Sequence, residues 1–203
     1  MIDDSENHLY MKRDGSIEGV EIVSHPATLD WSRDYPYGKL LRELRKNNCH
    51  VDDGYGLHVH VSRNAFRGVT NSSAAHQMSW LIFLYRNVEA LEHLARRSSE
   101  RWASFRKPRK GELRHKALHV DDSSRYVAVN CNNERTYELR FFASTLVERE
   151  LRAALEFADA SVAYTKRIKT HDILRGNALS WDKFSDWASD HNYPNLTAEM
   201  ADF

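Results

Sequence analysis

The segment Gly56-Leu57-His58-Val59-His60-Val61-Ser62 constrains this chain more than any other. Its strict alternation, read as a strand, puts Leu57, Val59 and Val61 on one face and His58, His60 and Ser62 on the other. The apolar face needs a core to cover it. On the polar face, two imidazoles two residues apart can reach one cation or one bound phosphate together. A solvated face that happens to carry two histidines fits the same pattern.

The rest of the chain supplies material for that core. Leu9 to Ser16 ends in the turn signal Asp14-Gly15, and Val20-Glu21-Ile22-Val23 reads as a second strand, so the two predict a hairpin. A short helix is expected over residues 39–45, stopped by Asn47-Asn48. Trp80, Leu81, Leu84, Val88, Leu91 and Ala95 recur mostly at three- and four-residue steps, which predicts one helix over residues 73–95 with a buried face. Two further strands, residues 126–129 and 136–142, are joined through Asn132-Asn133 and should pair antiparallel. Leu151, Leu155, Ala158 and Val162 mark another amphipathic helix, and residues 181–187 a last aromatic one. Strands followed by helices without strict alternation predict an α+β fold, an antiparallel sheet covered by helices, in a single domain over residues 1–203.

Bulk properties narrow the partners. Lys plus Arg and Asp plus Glu each total 29, so no whole-protein field draws the chain to nucleic acid or membrane, and a charged partner must be met locally. Cys49 and Cys131 are distant in sequence and follow no secretory signal, which argues against a disulfide framework and for the reducing cytoplasm. No window approaches the ~18 apolar residues that a spanning helix requires.

A second strand repeats the two-faced pattern. Thr136, Glu138 and Arg140 share one side, and Tyr137, Leu139 and Phe141 the other. Glu is a ligand for hard cations and Arg grips carboxylates or phosphates with two parallel bonds. A cross-strand ion pair on a solvated face, worth at most ~1 kcal/mol, explains the same residues. Glu21, flanked by Val20, Ile22 and Val23, is another carboxylate, in an apolar setting where an unpaired charge is costly.

Taken in order, Tyr10-Met11-Lys12-Arg13-Asp14-Gly15-Ser16, Gly19-Val20-Glu21-Ile22-Val23-Ser24-His25-Pro26, the histidine strand, Arg125-Tyr126-Val127-Ala128-Val129-Asn130 and Tyr137-Glu138-Leu139-Arg140-Phe141-Phe142 resemble the motifs of the amidoligase family. That family, often carried by phages, belongs to the carboxylate-amine ligase superfamily with glutamine synthetase and glutamate-cysteine ligase. The resemblance implies a glutamine synthetase-like sheet that cradles ATP and Mg2+. ATP phosphorylates a small-molecule or peptide carboxylate, and an amine then displaces phosphate to form an amide or isopeptide bond. Glu21, His58 and Glu138 would be metal ligands, and His60 would contact the nucleotide phosphates. Arg140, with Glu138, would act at the transferring phosphate or the substrate carboxylate. Ser24, Ser62, Arg125 and Asn130 fall within matching motifs as further binding candidates. If the gene is a phage's, the cytoplasm is that of its host.

Two departures qualify the match. Family members usually begin with a strand carrying Gly-x-Glu-x-Glu, a further source of metal-binding carboxylates, and nothing before Tyr10 corresponds to it. A truncated chain, a second protein chain that supplies the strand, or lost activity would each account for this. Tyr55 also stands where the family often has cysteine.

Between Arg96 and Lys116 periodicity fails and Arg96, Arg97, Arg101, Arg106, Lys107, Arg109, Lys110, Arg114 and Lys116 accumulate. A lid over the triphosphate and a solvated connection both fit this run. Trp102 and Phe105 within it could stack on bases, the one hint of nucleic acid. The competing functions are therefore an ATP-dependent amidoligase, a degenerate ligase fold kept as a nucleotide-binding or protein-interaction module, and, last, a metal-dependent hydrolase using His58, His60 and Glu138.

Overall fold

The computed structural model describes residues 8–13, 19–66, 73–98, 100–109, 111–117 and 126–201. Strands β1 (Leu9–Arg13) and β2 (Val20–Ser24) form the expected antiparallel hairpin, with Lys12 opposite Glu21. The Asp14-Gly15 turn lies outside the described residues. The hairpin is a two-stranded sheet of its own. At its base His8 packs 3.9 Å from the Trp31 ring, on helix α1 (Leu29–Asp34). That helix starts where Thr28 accepts the Trp31 amide N–H, and its six residues are too few to show a period in sequence. Helix α2 (Tyr37–Lys46) ends at Asn47 and Asn48, and Asn48 takes the left-handed φ of 58° that asparagine tolerates.

The histidine strand is β3 (Gly56–Ser62). It is followed by two helices, α3 (Ser73–Arg86) and α4 (Val88–Ala95), then by a short helix, α5 (Glu112–Ala117), and by strands β4 (Val129–Asn130) and β5 (Thr136–Ala143). The three strands make an antiparallel sheet in the order β3-β5-β4. Val59, Val61, Tyr137, Leu139 and Phe141 are buried on its core side, as the alternation requires. The strand expected over residues 126–129 is reduced to Val129–Asn130, because the chain just before it turns to another neighbour: Val127 makes an isolated parallel bridge to Ser104.

The single helix expected over residues 73–95 is two. Asn87 breaks it at φ −114°, and its side-chain amide donates to Phe83 O (2.7 Å) and to Leu179 O (2.9 Å). A side chain that competes for backbone carbonyls in this way ends the helical ladder. Leu84 and Leu91 are nonetheless fully buried, while Val88 is half-buried. The basic connection is not structureless either, since it contains α5.

Helices α6 (Glu148–Lys166), α7 (Thr170–Arg175), α8 (Trp181–Ser189) and α9 (Pro194–Met200) complete the described chain. The long α6 packs Phe157 against Phe141, Phe142 and Phe184, and its Ser161 accepts the Trp80 indole N–H at 2.9 Å. Arg152 on α6 donates to Ser32 O, Arg33 O and Tyr35 O at 3.0–3.2 Å, and so satisfies carbonyls at the end of α1 that the helix leaves unpaired. Glu156, almost fully buried, accepts the Leu196 amide N–H at 2.8 Å at the start of α9. The result is a mixed α+β arrangement of small antiparallel sheets and helices. Among the described residues no helix is long and apolar enough to cross a membrane.

Candidate functional site

Strand register places Glu138 at the middle of the three-stranded sheet, directly between His60 of β3 and Asn130 of β4. A register shift between Leu57 and Val59 alters the approach of His58, whose Nδ1 lies 3.0 Å from Glu138 Oε1. Arg140, two residues along β5 and so on the same face, donates from Nη1 to that oxygen at 2.6 Å. Asn130 Nδ2 donates to Oε2 at 2.7 Å. Both carboxylate oxygens are therefore engaged. Burial alone would raise the Glu138 carboxyl, but the hydrogen bonds from His58 and Asn130, with the charge of Arg140, outweigh it and hold the group down at about 2.

His60 is pushed the other way. Burial lowers its proton affinity, His58 and Arg140 add to this, and Glu138 and Glu21 oppose it, so the ring is neutral near pH 7. Its Nδ1 meets Thr136 Oγ1 at 3.0 Å across the strand pair. Glu21 thus lies within electrostatic reach of His60, though it belongs to the hairpin and is paired with Lys12 at 2.9 Å.

His58, His60, Asn130, Glu138 and Arg140 accordingly gather on one face. Ser62 sits at the far end of β3, where its hydroxyl accepts the Asn64 amide N–H at 3.2 Å. Ser24 ends β2, opposite Leu9. Arg125 lies outside the described residues.

One residue that the sequence offered only as a member of the basic run, Arg97, joins the cluster. A side chain at Gly56 would place its Cβ 2.6 Å from Arg97 Nη1 and 3.2 Å from His58 Nε2, so the Arg97 guanidinium stands over the start of β3 beside the histidine. Arg97 reaches there because α4 ends in a tight turn: Arg96 adopts a left-handed φ of 53° and the Arg97 amide donates to Glu92 O at 3.2 Å. A non-glycine residue in that conformation costs about 1–2 kcal/mol. The ion pairs of Arg96 with Glu199 (2.9 Å) and Glu150 (3.3 Å) help to offset it. The only sequence signal was the doublet Arg96-Arg97 at the end of a helix.

Mg2+ seeks a near-octahedral shell of oxygen atoms. Here Glu138 spends both oxygens on protein donors and Glu21 faces Lys12, while the remaining donors are imidazole nitrogens. Among the described residues no group of three or more His, Cys, Asp and Glu is assembled to hold an ion. As arranged, these residues do not fit a magnesium cage. They fit an anion better: Arg140 and His58 are bonded to a single carboxylate, with His60 opposite it and the Arg97 guanidinium near His58 and Arg140, and Arg140 is mostly buried. No family model, curated protein or solved structure matches the chain.

Proposed function

We propose that this chain is an ATP-dependent amidoligase of the carboxylate-amine ligase type, with the nucleotide phosphates on the face formed by His58, His60, Arg97 and Arg140. The observation that carries the reading is the convergence of both histidines and Arg140 around Glu138, from the same two strands whose motifs resemble the family's. In this reading the three-stranded sheet is part of a glutamine synthetase-like sheet. A substrate carboxylate oxygen takes the γ-phosphoryl group and ADP leaves. The amine nitrogen then attacks the acyl-phosphate carbon, gives up a proton and expels phosphate.

The chain's own residues have definite parts in this. Arg140 and Arg97 neutralise oxyanion charge. Glu138, ionised across the neutral range, positions Arg140 and His58 instead of accepting a proton. Neutral His60 offers a hydrogen bond without adding charge. Mg2+ enters as the counterion that ATP carries, because the described residues assemble no cage for it.

One observation favours a second reading, in which the fold is retained as a nucleotide-binding or protein-interaction module: both candidate metal carboxylates are already compensated by protein cations. A phosphate-release assay with ATP, magnesium and mixed amines and carboxylates separates the two. Amine-dependent release supports the ligase. Nucleotide binding without any release leaves the binding module.

A further inference from the structure

We propose that Arg97 and Arg140 together form a two-guanidinium clamp for one oxyanion, a carboxylate or a phosphoryl group, seated above Gly56 and beside His58. The clamp deepens the anion-binding reading of the same face and rests on it. Arg97 is the new element, and four observations carry its role.

First, it is delivered to the site by a defined turn. The left-handed Arg96 and the Arg97 N–H bond to Glu92 O reverse the chain at the end of α4, and Arg96 is anchored by Glu150 and Glu199. Second, its guanidinium is under-used. The contact from Nη1 to Phe142 O is long, at 3.5 Å, and Nε is buried with no hydrogen-bond partner. Third, Arg140 has the same deficit. Its Nη1 is held by Glu138, but its Nε is likewise buried and unpartnered. Leaving a buried donor unpaired costs about 1–3 kcal/mol, more if it is charged.

Fourth, the two guanidinium groups feel each other's charge, and only Arg140 has a carboxylate bonded directly to it. Glu138 is the carboxylate bonded to Arg140 and His58, and it is shared with Asn130. Arg97 is close enough to Arg140 that, after burial, the charge of Arg140 is the main influence lowering its proton affinity, with Asp53 opposing. Two like charges in a partly dry setting repel. An oxyanion between them removes the repulsion and supplies acceptors for the unsatisfied N–H groups, in the planar geometry that guanidinium favours. Gly56 is the floor of this arrangement, since a methyl group there would stand 2.6 Å from Arg97 Nη1 and push the guanidinium aside.

Calorimetric titration at low salt tests the clamp, with tripolyphosphate and glutamate as separate titrants. The proteins are wild type, Arg97→Met, Gly56→Ala and, as a charge-matched control, Arg42→Met on the exposed side of α2. Methionine keeps the apolar stem of Arg97, and thermal melts of each variant report on folding. The clamp predicts that at least one titrant binds wild type and loses about 10-fold or more in affinity in Arg97→Met, with a smaller loss in Gly56→Ala, where the guanidinium is displaced but kept. Arg42→Met should leave that affinity within about twofold. The titrant that responds identifies the oxyanion as phosphoryl or carboxylate. Tripolyphosphate binding that is indifferent to Arg97→Met overturns the clamp and leaves the nucleotide reading standing. Glutamate binding alone, dependent on Arg97, keeps the clamp and takes the phosphates away from this face. Binding of neither titrant overturns the clamp, and the phosphate-release assay then decides the ligase reading separately.

Discussion

Glu138 is the residue through which the site's electrostatics pass. Its carboxyl is held at about 2, below its ordinary 4.5, so it contributes stability that is fully present above the ordinary value and is lost as pH falls toward 2. The side chain is only 11% exposed, and the contribution is on the order of 3 kcal/mol. Glu138→Gln should therefore be less stable than wild type at neutral pH, with the gap closing as pH is lowered from about 5 to 3 in urea denaturation. A gap that stays constant over that range would mean that the carboxylate is not held by these partners. At this scale the histidine face was legible because period-two alternation survives in any strand. Asn130 was legible only through the family motif, since nothing about a lone asparagine points to a carboxylate on the next strand. Arg97 was legible only as one of a run of basic residues, because its place beside His58 depends on a backbone reversal at Arg96 that the run conceals.

The elements show where local signals compete. The stripe from Trp80 to Ala95 correctly marks a buried face, yet the helix that carries it is divided at Asn87, whose amide finds a carbonyl on a distant segment as well as one on its own helix. Such long-range capture leaves no trace in hydrophobic spacing. Leu84 lies on the first half and is fully buried, so Leu84→Ala should destabilise the protein by about 2–5 kcal/mol in chemical denaturation. A near-neutral effect would show that the face is not packed. The basic connection is likewise resolved residue by residue. Arg106 makes two 2.9 Å bonds to Glu112, Arg101 lies 4.6 Å over the Trp102 ring, and Trp102 packs edge-on against Tyr126. Of the run that fits either a lid or a solvated connection, Arg106 braces α5 and Arg101 covers Trp102, and the Trp102 ring is packed against the protein's own tyrosine.

For the whole molecule, the neutral net charge and the local cluster belong together: with no overall field, an anionic ligand at this face is drawn by local charges, which here are Arg97 and Arg140. The hairpin is a sheet apart, and Glu21 acts on the cluster through its charge at His60. The α+β class followed from element order, but the division into two sheets did not, because strand pairing is a long-range choice that alternation does not encode. The measurement that bears most directly on the proposed function is a calorimetric titration of the chain with a non-hydrolysable ATP analogue and magnesium, repeated on Arg140→Met. Binding to wild type that weakens about 10-fold or more in the variant, with the fold intact by circular dichroism, is the expected result. An absence of nucleotide binding by the folded wild-type chain, or binding unchanged in Arg140→Met, would contradict it.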